Sequence, residues 1–375
     1  MQYRPFGKTG VSVSVLGFGA MRLPQKNADG QEVFDHEAGV RLLRQGIDMG
    51  INYVDTAPGY CNQESEVVVG KALRDGYRDK VSLSTKLPSD AGGHDAARKS
   101  LEISLERLQT DHIDFYHLWN LSYENFIKDS IQEQVRMAHK ALEEGMIRHL
   151  SFSSHDKPEN IIKLIDTGLF ASMLCQYNLL DRANEEAISY AAEKGLGVVI
   201  MGPIGGGRLG TPSPQVQALL PGKAHSSPEI ALRFVLTHSS VSCALSGMGT
   251  PEMVQENVRV ASSQESALTS EEKEQVTRAM EEHQERAKLY CTGCNYCMPC
   301  PEGVNIPLNF ELMNYHRVYG LTEYAKSTYA DIGTVPWMKG KKASACVECG
   351  ICEEKCPQHL EIRKQLQETA KVLED

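Results

Sequence analysis

Residues 82–117 read SLSTKLPSDAGGHDAARKSLEISLERLQTDHIDFYH, and this stretch indicates the architecture of most of the chain. A short β-type run at 82–86 is followed by an amphipathic stretch of helical periodicity at 95–108 and by a second β-type run at 113–117. This order is typical of a βαβ unit, in which a helix connects two parallel strands. The stretch therefore predicts a parallel sheet.

The same alternation repeats from about residue 15 to residue 260. We count eight units, with strands predicted at residues 15–17, 53–55, 82–86, 113–117, 149–153, 173–176, 197–201 and 243–246. Eight βα units that close on themselves form a TIM barrel, (β/α)8, of the α/β class. A doubly wound sheet is the weaker alternative, because no Gly-x-Gly-x-x-Gly opens the first helix. We expect a short N-terminal hairpin to cap the barrel floor.

The composition of the chain changes near residue 290. Of the 11 cysteines among 375 residues, eight fall in the C-terminal part, which follows a polar, capped helix. We predict a barrel at residues 1–268, a linking helix at 269–288 and a small, mainly α-helical domain at 289–375. Further helices are expected at 307–318, 321–329 and 359–373, and residues 205–222, rich in Gly and Pro, are expected to form an irregular loop.

Charge and hydropathy exclude several functional classes. The net charge is 39 − 49 = −10, whereas domains that bind nucleic acid are usually basic. No apolar run is long enough to span a bilayer, and the start MQYRPFGKTG lacks the pattern of a secretory signal. We therefore expect a cytoplasmic protein with neither nucleic acid nor membrane as its partner.

The eight C-terminal cysteines form two runs with the spacing of iron–sulfur ligands. They are Cys291, Cys294, Cys297 and Cys300, then Cys346, Cys349, Cys352 and Cys356, each run ending in Cys-Pro. The second run matches the bacterial ferredoxin pattern, in which three closely spaced thiolates wrap three corners of a cubane. Disulfides are disfavoured in a reducing cytoplasm, and structural zinc usually takes two separated pairs. We predict two 4Fe-4S clusters.

The region resembles dicluster 4Fe-4S ferredoxin-type domains, in which helices link the cluster loops. In two-cluster ferredoxins the fourth cysteine of one run serves the other cluster, which would exchange Cys300 and Cys356 between the runs. The first run is one residue shorter before its last cysteine. Whether the fourth cysteines cross therefore stays open.

Three polar residues are expected at the barrel mouth. Asp55 ends the second predicted strand, Tyr60 follows five residues later, and Lys86 ends the third strand. A lysine beside a tyrosine favours phenolate and lowers the phenol pKa, while an aspartate holds the lysine charged. Two interpretations stay open: Tyr60 is a proton donor, or Asp55 and Lys86 form a structural ion pair beside an unrelated tyrosine.

Residues 1–265 resemble the aldo/keto reductases. The resemblance rests on LGFGAMRLP (16–24), DTAPGY (55–60), SE (65–66), STK (84–86) and IDFY (113–116). It implies carbonyl reduction with NADPH, in which hydride reaches carbon and a tyrosine protonates oxygen, and it makes Asp55, Tyr60 and Lys86 three of four catalytic residues. The fourth, a histidine, falls at Trp119. His117, two residues earlier on the same strand face, is our candidate to touch the substrate pocket.

The resemblance also implies a nicotinamide site. The matching positions are Ser153, Ser154 and Gln176 for the carboxamide, and Glu256 and Asn257 for the adenine. The family's stacking tyrosine aligns with Met201, and its two basic residues for the 2′-phosphate align with Gly247 and Met253. Arg208 is our substitute cation. NADH is therefore at least as plausible as NADPH.

These features predict an oxidoreductase that reduces or oxidises a carbonyl, enone or related small organic substrate near Tyr60. Its two 4Fe-4S clusters would connect it to a ferredoxin, a flavodoxin or another redox partner. The alternative is an electron-transfer or scaffold protein whose barrel is a docking platform with a degraded reductase site.

Overall fold

The structure is a computed structural model of the 375-residue chain. It describes residues 1–28, 31–210, 213–220, 224, 226–264, 266–288, 291, 295–356 and 359–374, without the side chains of residues 28, 31, 32, 284, 287 and 288.

Eight parallel strands close into a barrel, which confirms the predicted TIM-barrel class. In chain order the barrel strands one to eight are Leu16–Gly19, Tyr53–Asp55, Ser82–Leu87, Ile113–Leu118, Ile147–Ser154, Ser172–Gln176, Gly197–Met201 and Cys243–Ser246. Each strand pairs with the next one in the chain, and the eighth pairs with the first. The carboxyl ends of all eight strands therefore meet at one mouth, where barrel enzymes keep their reactive groups.

Helices follow the strands along the chain. The helices up to residue 262 are His36–Asp48, Ser65–Ala72, His94–Leu108, Tyr123–Phe126, Asp129–Glu143, Pro158–Asp166, Glu185–Lys194, Pro214–Gln217, Ser227–Thr237 and Pro251–Ser262. The helix His36–Asp48 begins where Asp35 accepts a hydrogen bond from the Ala38 N–H (3.1 Å), and it buries Leu42, Leu43 and Ile47 on one face. None of the described helices has the length and apolar character needed to cross a membrane.

Aromatic side chains fill the barrel floor. The strands Tyr3–Pro5 and Ser12–Ser14 form the expected antiparallel hairpin. It delivers Phe6, whose ring lies 4.6 Å from that of Phe115 and 5.5 Å from that of Tyr53, both inside the barrel. Tyr53 and Phe115 lie two residues before Asp55 and His117 on their strands, so this packed layer supports the polar layer at the mouth.

Three short elements were not predicted. The strands Gln25–Ala28 and Gln31–Phe34 form a second hairpin, for which the polar sequence carries no hydrophobic alternation. The Gly-rich segment after strand seven also contains local structure, a 3-10 turn at Gly205–Gly207 and the helix Pro214–Gln217. Residues 211–212 and 221–223 of that segment lie outside the described residues.

The chain divides into two compact units, Met1–Gly206 with Ala231–Leu268, and Gly207–Ile230 with Thr269–Asp375. The segment Gly207–Ile230, which the sequence analysis placed in the barrel, therefore groups with the C-terminal residues. Ser213 shows why: its hydroxyl donates to the Tyr319 carbonyl at 2.8 Å. A loop rich in glycine cannot build a core alone and uses the helices of this unit instead.

The C-terminal unit is mainly helical, as predicted. Its helices from residue 270 onward are Ser270–Lys288, Ile306–Arg317, Thr322–Ala330, Ile351–Glu354 and Ile362–Leu373, with a 3-10 turn at Ala343–Ala345. Phe310, Met313, Tyr329 and Leu366 are among its buried residues. The last helix begins at Ile362 rather than at 359, because His359 adopts a positive φ of 51°, which is incompatible with a right-handed helix.

Candidate functional site

A buried ion pair stands at the mouth between strands two and three. The Lys86 Nζ lies 2.6 Å from the Asp55 Oδ1 and donates to the Thr56 carbonyl at 2.8 Å, while the Ser84 hydroxyl donates to the Asp55 Oδ2 at 2.8 Å. Burial lowers the pKa of Lys86, but Asp55 and Tyr60 raise it by more, so the pKa lies above its usual value. Lys86 therefore carries a full positive charge at neutral pH.

Tyr60 lies against this charge. The Lys86 Nζ is 4.7 Å from the centroid of the Tyr60 ring. The expectation that lysine lowers the phenol pKa is wrong in its net direction: burial raises the pKa of Tyr60 by more than Lys86 lowers it. The phenol is therefore protonated at neutral pH, and its proton is available to a bound acceptor.

The loop that carries Tyr60 has an unusual backbone. Cys61, Asn62 and Gln63 have φ values of 52°, 51° and 73°, a left-handed region that residues other than glycine rarely occupy. The Cys61 thiol donates to the Met21 carbonyl (3.4 Å) and ties the loop to the end of strand one. Consecutive residues in this region are held by their surroundings, a form of strain that clusters at functional sites.

Trp119 forms an aromatic wall beside Tyr60. The two rings meet edge to face, with centroids 5.7 Å apart. Gly59 permits this approach, since a Cβ at that position would lie 3.1 Å from the Trp119 ring. The position where related sequences place a histidine therefore holds a bulky apolar side chain that narrows the space over the phenol.

His117 is fully buried inside the barrel next to Lys86, its register partner on strand three. Among the described residues neither of its ring nitrogens makes a hydrogen bond of normal geometry, although the Phe152 backbone lies near enough to oppose the fall of its pKa. Burial lowers the pKa of His117 to about 4, so the ring is neutral at pH 7. A buried polar ring without such a bond is costly in a folded protein, and it is available to a ligand that reaches this depth.

The candidate carboxamide contacts lie at the ends of strands five and six, on the same mouth. The Ser153 Oγ accepts the Asn120 N–H at 2.9 Å, and the Ser154 hydroxyl donates to the Leu121 carbonyl at 2.7 Å. The Gln176 side-chain amide donates to Asp181 at 3.2 Å. Both serines thus also anchor the loop that follows strand four.

Of the two candidate adenine contacts, Asn257 is buried and Glu256 is half-buried. Both belong to the helix Pro251–Ser262, and the Asn257 Nδ2 donates to the Ser246 hydroxyl at 3.0 Å. Asn257 therefore joins this helix to strand eight.

Arg22 is a residue that the sequence analysis quoted without assigning it a role. Its side chain lies beside Gly247, where a Cβ would be 3.6 Å from the Arg22 Cβ, and its Nη2 donates to the Gly206 carbonyl at 2.6 Å. A guanidinium therefore lies next to the loop that lacks the expected cations. The LGFGAMRLP run contains Arg22, but only the closed barrel brings strand one beside strand eight.

Arg208, the cation that the sequence analysis proposed, has a different neighbour. Its guanidinium is bonded to the Tyr315 hydroxyl and lies 5.2 Å from the Tyr315 ring centroid, within the C-terminal unit. The Tyr315 hydroxyl in turn donates to Glu311 at 2.9 Å. Arg208 thus takes part in a polar contact of that unit.

None of the described cluster cysteines forms a disulfide: Cys291, Cys297, Cys300, Cys346, Cys349, Cys352 and Cys356. Cys294 lies outside the described residues. In the second run, Glu348 and Gly350 have φ values of 58° and 82°, which turn the chain between the cysteines, and the Glu348 N–H donates to the Cys346 Sγ at 3.4 Å. Burial raises the pKa of Cys352, and the neighbouring Cys346 and Cys349 raise it further. Cys346 and Cys349 are therefore near enough to Cys352 to act on its pKa, but the described residues include no group of three His, Cys, Asp or Glu side chains arranged to hold a metal ion.

Cys291 lines a cavity of about 470 Å³ in the C-terminal unit. Another cavity, of about 430 Å³, opens at the barrel floor beside Lys8, His149 and Lys194. The floor cavity contains none of the candidate catalytic residues, which stand at the opposite end of the strands.

Two family models match the chain. The model described as the aldo/keto reductase family matches residues 15–281, and the model described as a 4Fe-4S dicluster domain matches residues 290–361. The first match spans more than half of the chain and includes every barrel strand.

Similar proteins agree with these matches. The holo form of aldo-keto reductase AKR11C1 from Bacillus halodurans is 29% identical, with a TM-score of 0.64, over 74% of this chain and 96% of that one. An aldo-keto reductase from Klebsiella pneumoniae in complex with NADPH is 26% identical, with a TM-score of 0.62, over 74% and 95%. The NADH-specific methylglyoxal reductase of Escherichia coli K12 is 27% identical over 311 residues, 69% of this chain and 93% of the relative.

Proposed function

Since the chain belongs to the aldo/keto reductase family, with a 4Fe-4S dicluster domain at its C-terminus, we propose that it reduces the carbonyl or enone group of a small organic substrate at Tyr60. The observation that carries the proposal is the buried pair of Lys86 and Asp55, 2.6 Å apart, with the Lys86 ammonium 4.7 Å from the Tyr60 ring. An ion pair that served only the stability of the barrel would not require a tyrosine hydroxyl group next to its lysine.

Each polar group has a separate task in this proposal. Tyr60 donates its proton to the substrate oxygen as negative charge develops there. Lys86 stabilises the resulting phenolate, because an opposite charge at this distance in a buried site favours the ionised phenol. Asp55 holds Lys86 in place and keeps it charged.

The groups around Tyr60 shape the substrate pocket. His117, neutral and without a hydrogen bond of normal geometry, offers a donor or an acceptor to a substrate that reaches it. Trp119 restricts the space above the phenol. The protonated phenol favours reduction near neutral pH, whereas oxidation needs the phenolate and is expected to become faster as the pH rises.

The mouth fits a nicotinamide dinucleotide. Such a cofactor, when bound, would supply a hydride to the substrate carbon. Ser153, Ser154 and Gln176 offer polar atoms for its carboxamide, and Glu256 and Asn257 for its adenine, as the family resemblance implies. Arg22 and the positive end of the dipole of the helix Pro251–Ser262 suit its phosphates. Relatives are named for NADH or solved with NADPH, so both nucleotides belong in the test.

We infer that the C-terminal unit holds two 4Fe-4S clusters. The match to a 4Fe-4S dicluster domain, thiols at ferredoxin spacing outside any disulfide and a cavity beside Cys291 support this proposal, with Cys294 as the eighth ligand by sequence spacing. The clusters would exchange single electrons with a redox partner such as a ferredoxin or a flavodoxin. We place the protein in the cytoplasm, because a reducing compartment keeps the thiols available for iron.

The Tyr60→Phe variant tests the reductase proposal. We expect kcat/KM for aldehydes, ketones or enones to fall by about 10²- to 10⁴-fold, because the general acid is lost. Iron content and nucleotide affinity should not change. Tyr190→Phe is the matched control, since this half-buried tyrosine donates to Asp166 on the outer helices.

Full activity of Tyr60→Phe would contradict the proposal. If the wild-type protein turns over no carbonyl or enone with NADH, NADPH or a reduced carrier, while its clusters still accept electrons, the barrel is a docking platform. That outcome has a basis in the sequence, because Trp119, Gly247 and Met253 replace polar groups of the family pattern.

A further inference from the structure

The segment that follows Tyr329 and leads into the second cysteine run is positively charged, in contrast to the chain as a whole. Residues 332–347, IGTVPWMKGKKASACV, contain Lys339, Lys341 and Lys342 and no aspartate or glutamate. Lys339 and Lys341 are exposed, and the Lys342 Nζ lies 5.5 Å above the centroid of the Tyr329 ring. On a chain of net charge −10, this segment is a local basic surface.

Trp337 stands at the tip of the same segment. It is 80% exposed, the highest fraction among the large hydrophobic residues that the structure describes. The Gly333 N–H donates to the Met338 carbonyl at 2.8 Å, and the Met338 N–H donates to the Val335 carbonyl at 3.1 Å. The turn is therefore closed by its own backbone, and the indole is exposed on a fixed support. An exposed tryptophan of this kind is common at protein interfaces.

Both cysteine runs also expose apolar side chains. Tyr296 is 67% exposed within the first run, and Val347 and Ile351 are 61% and 40% exposed within the second. Each lies between two of the proposed cluster ligands. Apolar exposure concentrated at a redox site indicates a surface that a partner covers.

Backbone hydrogen bonds connect the basic segment to the first cysteine run. The Lys341 N–H donates to the Gly303 carbonyl at 2.9 Å, and the Asn305 N–H donates to the Lys341 carbonyl at 3.1 Å. Gly340 permits this close approach, because a Cβ there would lie 2.8 Å from the Asn305 Cβ. Gly303 follows Cys300 by three residues, a reach of at most about 11 Å, and Lys341 precedes Cys346 by five, about 18 Å. The lysines therefore lie close to both proposed clusters.

We propose that Trp337, Lys339, Lys341 and Lys342 form the docking surface for a small acidic one-electron carrier protein, which rests on the proposed presence of the 4Fe-4S clusters. Lysines steer an acidic partner to a region that attracts it, since the chain as a whole shares the partner's charge sign. Trp337 supplies the apolar anchor at the centre of the contact. The surrounding acidic residues Glu302, Asp331 and Glu348 set the limits of the surface.

The electron balance of the docking step is simple. In each encounter the carrier loses one electron and is oxidised, and the protein gains that electron at its iron–sulfur site. No bond forms or breaks and no proton moves between the two proteins. Two encounters would reduce the two proposed clusters by one electron each.

The test uses the full-length protein with its full iron content and a purified acidic flavodoxin reduced to the hydroquinone. Stopped-flow absorbance measures the second-order rate constant of electron transfer. The triple variant Lys339→Glu, Lys341→Glu, Lys342→Glu should lower this constant at least tenfold at low ionic strength, with a smaller difference in 0.5 M salt, because salt screens steering. Trp337→Ala should lower it several-fold at both salt concentrations.

The matched control reverses three exposed lysines on the barrel helices, Lys99, Lys128 and Lys140, and makes the same change in net charge. The proposal would be overturned if the two triple variants had equal rate constants. It would also be overturned if dithionite reduced the wild-type protein and flavodoxin did not. A third outcome would assign the surface to a membrane and overturn the proposal. In that case the wild type would bind vesicles of anionic lipid, the Lys339, Lys341, Lys342 variant would not, and the rate constant with the carrier would be the same for both. Iron content, dithionite reduction and turnover of the organic substrate stay unchanged in the variants, so failure here is distinct from failure of the reductase proposal.

Discussion

Lys86 keeps its charge inside the barrel because its ammonium donates to a carboxylate and to a backbone carbonyl. Asp55 and the Thr56 carbonyl are within 2.8 Å of the Lys86 Nζ, and Ser84 satisfies the other Asp55 oxygen. A buried ion pair of this completeness is stable as a unit, whereas loss of one partner leaves an uncompensated charge, at a cost of about 3–5 kcal/mol. Tyr60 thus faces a fixed cation that exists before any substrate binds.

His117 leads to a prediction for the pH dependence of stability. Its pKa is about 4 in the folded protein and about 6.5 when exposed, so between these values the unfolded chain binds more protons and unfolding becomes easier as the pH falls. This one residue should lower the unfolding free energy by about 2 kcal/mol between pH 7 and pH 4.5. Urea unfolding of the wild type and of His117→Gln at the two pH values measures it.

The exposed His139 is the control for this measurement. The acid-dependent loss should be smaller in His117→Gln than in the wild type and unchanged in His139→Gln. An identical pH dependence in the wild type and His117→Gln would show that His117 does not resist protonation in the folded state.

At the scale of elements, the end of strand one and the loop after strand eight act together. Strands one and eight are neighbours only because the sheet closes, and this closure places Arg22 beside Gly247. The helix Pro251–Ser262 begins just beyond, with Thr250 accepting the Met253 N–H at 3.3 Å. A guanidinium and the positive end of a helix are suited to the same anionic group.

Arg22→Gln tests this pairing. We expect the dissociation constant of the dinucleotide to rise about tenfold, since a charge-assisted contact of this kind contributes about 1.5 kcal/mol or more. Fluorescence titration with NADH and NADPH measures it, with Arg136→Gln, an exposed arginine on the helix Asp129–Glu143, as the control. If the affinity for NADH and for NADPH falls equally, Arg22 contacts the pyrophosphate. If only the affinity for NADPH falls, Arg22 contacts the 2′-phosphate. Unchanged affinity for both would remove Arg22 from the site.

On the scale of the whole molecule, each of the two units is stabilised by a different kind of interaction. The barrel has a continuous apolar core, in which Phe6, Tyr53 and Phe115 pack below the mouth. The loops that carry the cysteines are largely exposed and bury little apolar area besides the thiols Cys352 and Cys356. Their order is therefore expected to depend on the bound metal, because metal-binding free energy contributes directly to folding.

Removal of iron should affect one unit and spare the other. After anaerobic chelation we expect faster hydrogen exchange in residues 295–303 and 346–356, with no change in strands two to five. Hydrogen-exchange mass spectrometry of the protein before and after chelation measures this, and restoring iron and sulfide should return the protection. Equal loss of protection in the barrel strands would show that the clusters stabilise the entire chain.

Local pattern was sufficient to predict the eight barrel strands and the spacing of the cysteine ligands. The eight strands occur within one or two residues of their predicted positions, because each alternation of strand and helix is encoded in consecutive residues. The Asp55, Tyr60 and Lys86 positions followed from the same pattern, since strand ends in a parallel barrel share one mouth. Their catalytic roles, and those of the predicted cofactor contacts, stay predictions.

Only the tertiary structure decided which distant residues become neighbours and which groups lose water. Arg22 meets Gly247 through barrel closure, Gly207–Ile230 groups with the C-terminal helices, and Lys341 pairs with Gly303 between the cysteine runs. The degree of burial cannot be read from a local sequence pattern. Its effect on the pKa of Tyr60 is larger than that of Lys86, so the pKa is raised. Periodicity records local preference, whereas contacts and desolvation depend on the complete packing of the chain.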